Sequence, residues 1–107
     1  MSRLADILSF ETAQKLQDLD YVLDQNFTKN LYALIEEGLE NKDLNINQSL
    51  DISQLLNHGD FQRLNRNLSI FVKQVHVEAE KEGIRVLSGD HFIKVINMFC
   101  PGFFPFC

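Results

Sequence analysis

The chain has 107 residues, a net charge of −5 and an apolar share of 45%. With only five glycines and two prolines, that composition excludes disordered, collagen-like and many-stranded β chains. One domain is expected, burying roughly 65% of the surface its extended chain exposes, and no apolar run of about 18 residues makes a transmembrane span.

The first residues, Met1-Ser2-Arg3-Leu4-Ala5-Asp6, place no long apolar stretch after their one basic side chain, so no secretory signal is expected there. Leu4, Ile7 and Leu8 make a short apolar stripe, and Ser9 or Thr12 is placed to cap the next helix. Leu16, Leu19, Leu23, Phe27, Leu31, Leu34, Ile35 and Leu39 then recur at steps of three and four. This spacing predicts one long helix over about 11–40, or two helices broken near Asn26-Phe27-Thr28, where the helix formers are weakest. The Asn-rich stretch 41–48 reads as a loop, in which Leu44 and Ile46 alternate as a very short extended piece. Ser49 or Asp51 starts a short helix bearing Ile52, Leu55 and Leu56, which ends at His58-Gly59.

Asp60 is expected to cap the best-defined helix, 60–82. Phe61, Leu64, Leu68, Phe71, Val75 and Ala79 form its apolar stripe, with Arg63, Asn65, Arg66, Asn67 and Lys73 on the other side, and Gly83 stops it. Ile84-Arg85-Val86-Leu87 is a β-branched, alternating segment too short for a helix. Ser88 is expected to cap a final helix near 89–99 that buries Phe92, Val95, Ile96 and Phe99, and Pro101 prevents its continuation. Residues 101–107 form an apolar Phe/Pro/Cys tail on a domain spanning 1–100. No internal sequence repeat is found.

A long amphipathic helix ending in glycine, a four-residue extended piece and a short helix opened by a capping serine follow one another over residues 60–99. This order, and the phrase Arg85-Val86-Leu87-Ser88-Gly89-Asp90-His91-Phe92, resemble the second half of the histone fold of small proteins of the centromere protein X type, with the likeness covering about 44–99. The resemblance implies a first helix at Leu31–Leu39, a first β-like loop at Leu44–Ile46, residues 1–30 outside the fold, and an obligate heterodimer in a chromatin or DNA-repair complex. The competing reading is a closed bundle of four or five helices that covers its own apolar faces.

Charge and chemistry narrow the function. Residues 1–60 hold four basic and eleven acidic side chains, and residues 61–107 hold six and four. An acidic chain of this kind does not bind nucleic acid through its overall field. Arg63, Arg66, Lys73 and Arg85 are the candidate phosphate contacts, so nucleic acid is expected only indirectly or through a partner. Cys100 and Cys107 both fall in the last eight residues, which excludes a core disulfide framework and suits an intracellular, reducing compartment, cytoplasm or nucleus.

His76 and Glu80 share a helix face, but two ligands do not make a metal site. No nucleophile elbow, Cys–His arrangement or phosphate loop is present. The expectation is therefore an all-α, non-catalytic interaction subunit without cofactor, metal or small-molecule substrate, working with another protein chain in a hetero- or homo-oligomer. Its candidate partner-binding residues are Phe61, Leu68, Val75, Phe92, Ile96, Phe99, Phe103, Phe104 and Phe106. The alternative is a standalone acidic bundle acting as an inhibitor, immunity protein or viral or bacterial effector that binds a basic partner surface.

Overall fold

The structure, a computed structural model, describes residues 3–41 and 59–99. They form helix α1 (Arg3–Gln17), strand β1 (Val22–Leu23), helix α2 (Gln25–Asn41), helix α3 (Gly59–Glu82), strand β2 (Val86–Leu87) and helix α4 (Gly89–Ile96). The described residues are all-α apart from the two short strands, which pair in parallel as Val22 with Val86 and Leu23 with Leu87. The expected loop over 41–48, the helix carrying Ile52, Leu55 and Leu56, the extended piece Leu44–Ile46 and the tail 101–107 lie outside the described residues, except that Asn41 ends α2.

The first third differs from its reading. Arg3–Gln17 is one continuous helix, so Ser9 and Thr12 are interior rather than capping residues. Thr12 meets its own turn instead, its hydroxyl donating to the Leu8 carbonyl at 2.7 Å. The chain breaks between Gln17 and Gln25, ahead of the weak helix formers at 26–28. Two backbone bonds explain the stop. Asp20 N–H donates to the Gln17 carbonyl at 2.9 Å and Tyr21 N–H to the Leu16 carbonyl at 3.3 Å. These are the paired closing bonds of a Schellman cap, with Asp20 in the left-handed position at φ 71°. Leu19 and Leu23 thus leave the helical stripe, Leu19 for an exposed turn and Leu23 for β1.

The same device ends α3. Gly83 N–H donates to Glu80 and Ile84 N–H to Ala79, with Gly83 at φ 67°. Each cap leads to a two-residue strand, and each strand to an N-cap. Asp24 Oδ1 accepts from Phe27 N–H at 2.8 Å, and Ser88 Oγ accepts from His91 N–H at 3.2 Å. Val22-Leu23-Asp24 and Val86-Leu87-Ser88 occupy equivalent places, so the structure repeats a helix–strand–cap–helix unit that no sequence repeat announces. Val22 N–H to the Arg85 carbonyl (2.8 Å) and Asp24 N–H to the Leu87 carbonyl (3.0 Å) tie the two units together.

Residues 59–99 follow their expected order with shifted ends. Gly59 already belongs to α3 rather than closing a preceding helix. The final helix is regular only to Ile96; Met98 and Phe99 bond back three residues, a tightening that fits the approach to Pro101. Phe27, Phe71 and Phe92 form the centre of the core, joining α2, α3 and α4 with ring centroids 5.2–6.4 Å apart. Around them Leu16, Leu31, Ile35, Leu39, Leu64, Val75, Leu87 and Val95 are fully buried. Leu8, Leu16, Tyr21 and Phe27 all join this core, so the described residues before 31 are part of the fold rather than outside it.

Candidate interaction surface

The apolar stripe of α3 expected to face a partner is covered by the chain itself. Phe61, Leu68, Val75 and Phe92 are buried, and Ile96 and Phe99 pack partly buried against the same core. This corrects their assignment as exposed contacts: Phe61, Leu68, Val75 and Phe92 belong to the core of the fold, and Ile96 and Phe99 lie at its edge. Phe103, Phe104, Phe106, Cys100 and Cys107 lie outside the described residues.

Among the described residues, closing the core leaves large apolar side chains in water on α1 and α3, and Ile93 on α4. On α1, Phe10 is 69% exposed, Ile7 is also exposed one turn before it, and Gln14 completes the row. Asp6, Glu11 and Asp18, all exposed, flank that row. On α3, Ile70 and Val77 are exposed seven residues apart, and Arg66 and Lys73 run beside them with the same spacing. The 3.6-residue period puts these four on one face, and Arg63 and Lys81 border it. Lys81 is engaged by Glu78 at 3.2 Å. Of the candidate phosphate contacts, Arg63, Arg66 and Lys73 belong to this face, whereas Arg85 is drawn elsewhere.

Arg85 joins a polar cluster around Tyr21. The buried Tyr21 hydroxyl donates to Glu80 Oε1 at 2.9 Å and stands 2.9 Å from His76 Nδ1. The hydroxyl thus bridges the Glu80 carboxylate and the His76 ring. Arg85 pairs with Glu80 at 3.5 Å, and its guanidinium lies 5.4 Å from the Tyr21 ring centroid. Burial pushes the Tyr21 hydroxyl above its ordinary pKa, and the Glu80 hydrogen bond and charge raise it further, with Arg85 offsetting part of the rise. A hydroxyl held neutral in this way is a structural donor rather than a base. The His76–Glu80 pair singled out by spacing is thus filled by Tyr21, a residue that helical periodicity could not place because it sits in the chain break.

A second polar group lies at the start of α4. His91 is buried, with Nδ1 3.4 Å from Glu82 Oε2, and Lys94 reaches the same oxygen at 3.2 Å. Its Nε2 has no partner among the described residues. With Ser88 and Asp90 these side chains line an open cleft of about 320 Å³. Among the described residues no three His, Cys, Asp or Glu side chains converge as metal ligands, and no helix is long and apolar enough to cross a membrane.

Comparison with protein-family models, with curated proteins and with solved structures finds no match. The chemistry of the chain is therefore read from its own side chains. Among the described residues, α1 and α3 carry exposed apolar side chains bordered by charges of opposite sign.

Proposed function

We propose that this chain is a non-catalytic interaction subunit that docks another protein on the outer faces of α1 and α3. The observation that carries the reading is the exposure of Phe10 beside Ile7, in a chain whose other phenylalanines on α2, α3 and α4 (Phe27, Phe61, Phe71, Phe92) are buried. A large aromatic left in water on a turn-spaced row has a use in binding that it lacks in folding. The cysteine usage suits a reducing compartment, cytoplasm or nucleus.

The test is affinity capture from the native source with the wild type and with Phe10→Ser/Ile70→Ser, after their melting curves are shown to coincide. A partner held by the wild type and lost in the variant supports the reading. Identical captures from both chains would remove it.

A second reading, a histone-fold-like half of a heterodimer linked to chromatin or DNA repair, is favoured by α3–β2–α4. There a 24-residue helix, a two-residue strand and a serine-capped eight-residue helix follow one another. It predicts that a histone-fold partner co-purifies and raises the melting temperature. A sharp melt that no such partner shifts would count against it.

A further inference from the structure

The two exposed faces complement each other, and from this we infer that the partner seated on them is a second copy of this chain. The inference rests on the interaction-subunit reading and names its occupant. Along one flank of α1 and just past its last residue stand Glu11 and Asp18, seven residues apart, with Lys15 further round the helix; on α3 the basic flank is Arg66 and Lys73, also seven apart. Both intervals span about 10 Å along a helix axis. Each flank borders an apolar row, Ile7 and Phe10 on α1 and Ile70 and Val77 on α3. This is the arrangement by which paired helices set register, with apolar seams in contact and opposite charges beside them. Within one chain α1 and α3 pack against each other. The rows of Ile7 and Phe10 and of Ile70 and Val77 stay exposed in this packing.

In the inferred dimer the copies are related by a two-fold axis. It lays α1 of one copy on α3 of the other, and α3 of the first on α1 of the second. Such an interface is closed and self-complementary, so it ends at a dimer. None of Glu11, Arg66 and Lys73 takes part in the ion pairs formed within the described residues; Asp18 accepts one hydrogen bond, from Gln14 at 3.0 Å. Their charges are available to steer association, which makes the dimer salt-sensitive.

The experiment uses sedimentation of the full chain and of two exposed-residue variants, Glu11→Lys/Asp18→Lys and Arg66→Glu/Lys73→Glu. The wild type is expected as a dimer that weakens with added salt. Each variant alone sets like charges opposite each other at both contacts and is expected to weaken the dimer by at least tenfold. Mixed in equal amounts, the variants restore opposite charges at both contacts, and the mixture is expected to sediment as a heterodimer. A wild type that stays monomeric at every concentration reached overturns the proposal without any variant. So does a dimer that neither reversal weakens. In either case the reading as an interaction subunit stands or falls separately, on the capture comparison of Phe10→Ser/Ile70→Ser.

Discussion

The Tyr21 hydroxyl donates to Glu80 across 59 residues of chain, at 2.9 Å, and so ties the end of the first helix–strand unit to the last turn of α3. Tyr21→Phe keeps the ring and removes the donor. The loss should be about 1–2 kcal/mol, since Glu80 is half in water and the bond is to a charged group. For a domain of this size that lowers Tm by roughly 4–16 °C.

The pH dependence of the same pair has a definite sign. The folded state raises the hydroxyl's pKa above its ordinary 10.0, so folding favours the neutral form. The contribution is complete below the unfolded pKa and is lost as pH rises through the higher folded value. Wild-type stability should therefore fall on the alkaline side, and Tyr21→Phe should flatten that limb. Urea titrations on both sides of pH 10 would show it; parallel alkaline losses in the two proteins would assign the effect to other groups.

Phe71 is fully buried and faces both Phe27 and Phe92, which also face each other, so the three rings form one mutually packed centre. Phe71→Ala should cost about 3–5 kcal/mol, through lost transfer energy and the cavity left behind. Against a total stability of about 5–15 kcal/mol, this removes a large share of the margin and lowers Tm accordingly. Phe10→Ala removes the same side chain from α1 but should stay within about 0.5 kcal/mol, because Phe10 is already exposed. Parallel thermal melts of the two variants would separate a folding phenylalanine from a surface one. A large loss at Phe10 would show that its ring supports the fold.

These contrasts also show what was legible in the sequence. The 3–4 spacing from Phe61 to Ala79 gave α3 and its buried face, and Ser88 gave the start of α4, because periodicity and capping are local properties. The same spacing continued through Leu19 and Leu23, and there it misled. A left-handed Asp20 ends α1, and aspartate is a weak signal for that position beside glycine or asparagine. The direction of the apolar faces was likewise not local: whether Phe61, Leu68 and Val75 meet a partner or the chain's own α1, α2 and α4 depends on tertiary closure. Tyr21 and His91 became visible only once distant turns were brought together.

Ser88 and Gly89 act in succession where α4 begins. Ser88→Ala removes the acceptor for His91 N–H and should cost about 1 kcal/mol. Gly89 has a separate reason to be small, since a Cβ there would lie 2.8 Å from Asn26 Cβ at the start of α2. That neighbour is the root of a side chain rather than a flexible tip, so α2 and α4 must move apart to relieve it. Gly89→Ala should therefore cost about 1–3 kcal/mol, although alanine favours helices. Combined with Asn26→Gly, which removes the clashing Cβ, much of the loss should return. An additive double variant in urea unfolding would show that the close approach is not its cause.

Asp20 and Gly83 hold the same left-handed position in the two Schellman caps, and only one of them is glycine. A side-chain-bearing residue there costs roughly 1–2 kcal/mol, less for aspartate than for most. Asp20→Gly relieves that strain and loses about 0.4–1 kcal/mol to the freer unfolded chain. The net expectation is a small gain, about 0.5 kcal/mol. At Gly83 a Cβ would meet nothing within 4 Å, so backbone strain is the only penalty of adding one. The unfolded-chain term now works in the other direction, so Gly83→Asp should cost about 0.5 kcal/mol, with an unchanged urea slope because no surface is newly exposed. Opposite shifts of the two midpoints would establish that the caps are equivalent. Stabilisation by Gly83→Asp would mean that its φ is set by something other than the cap.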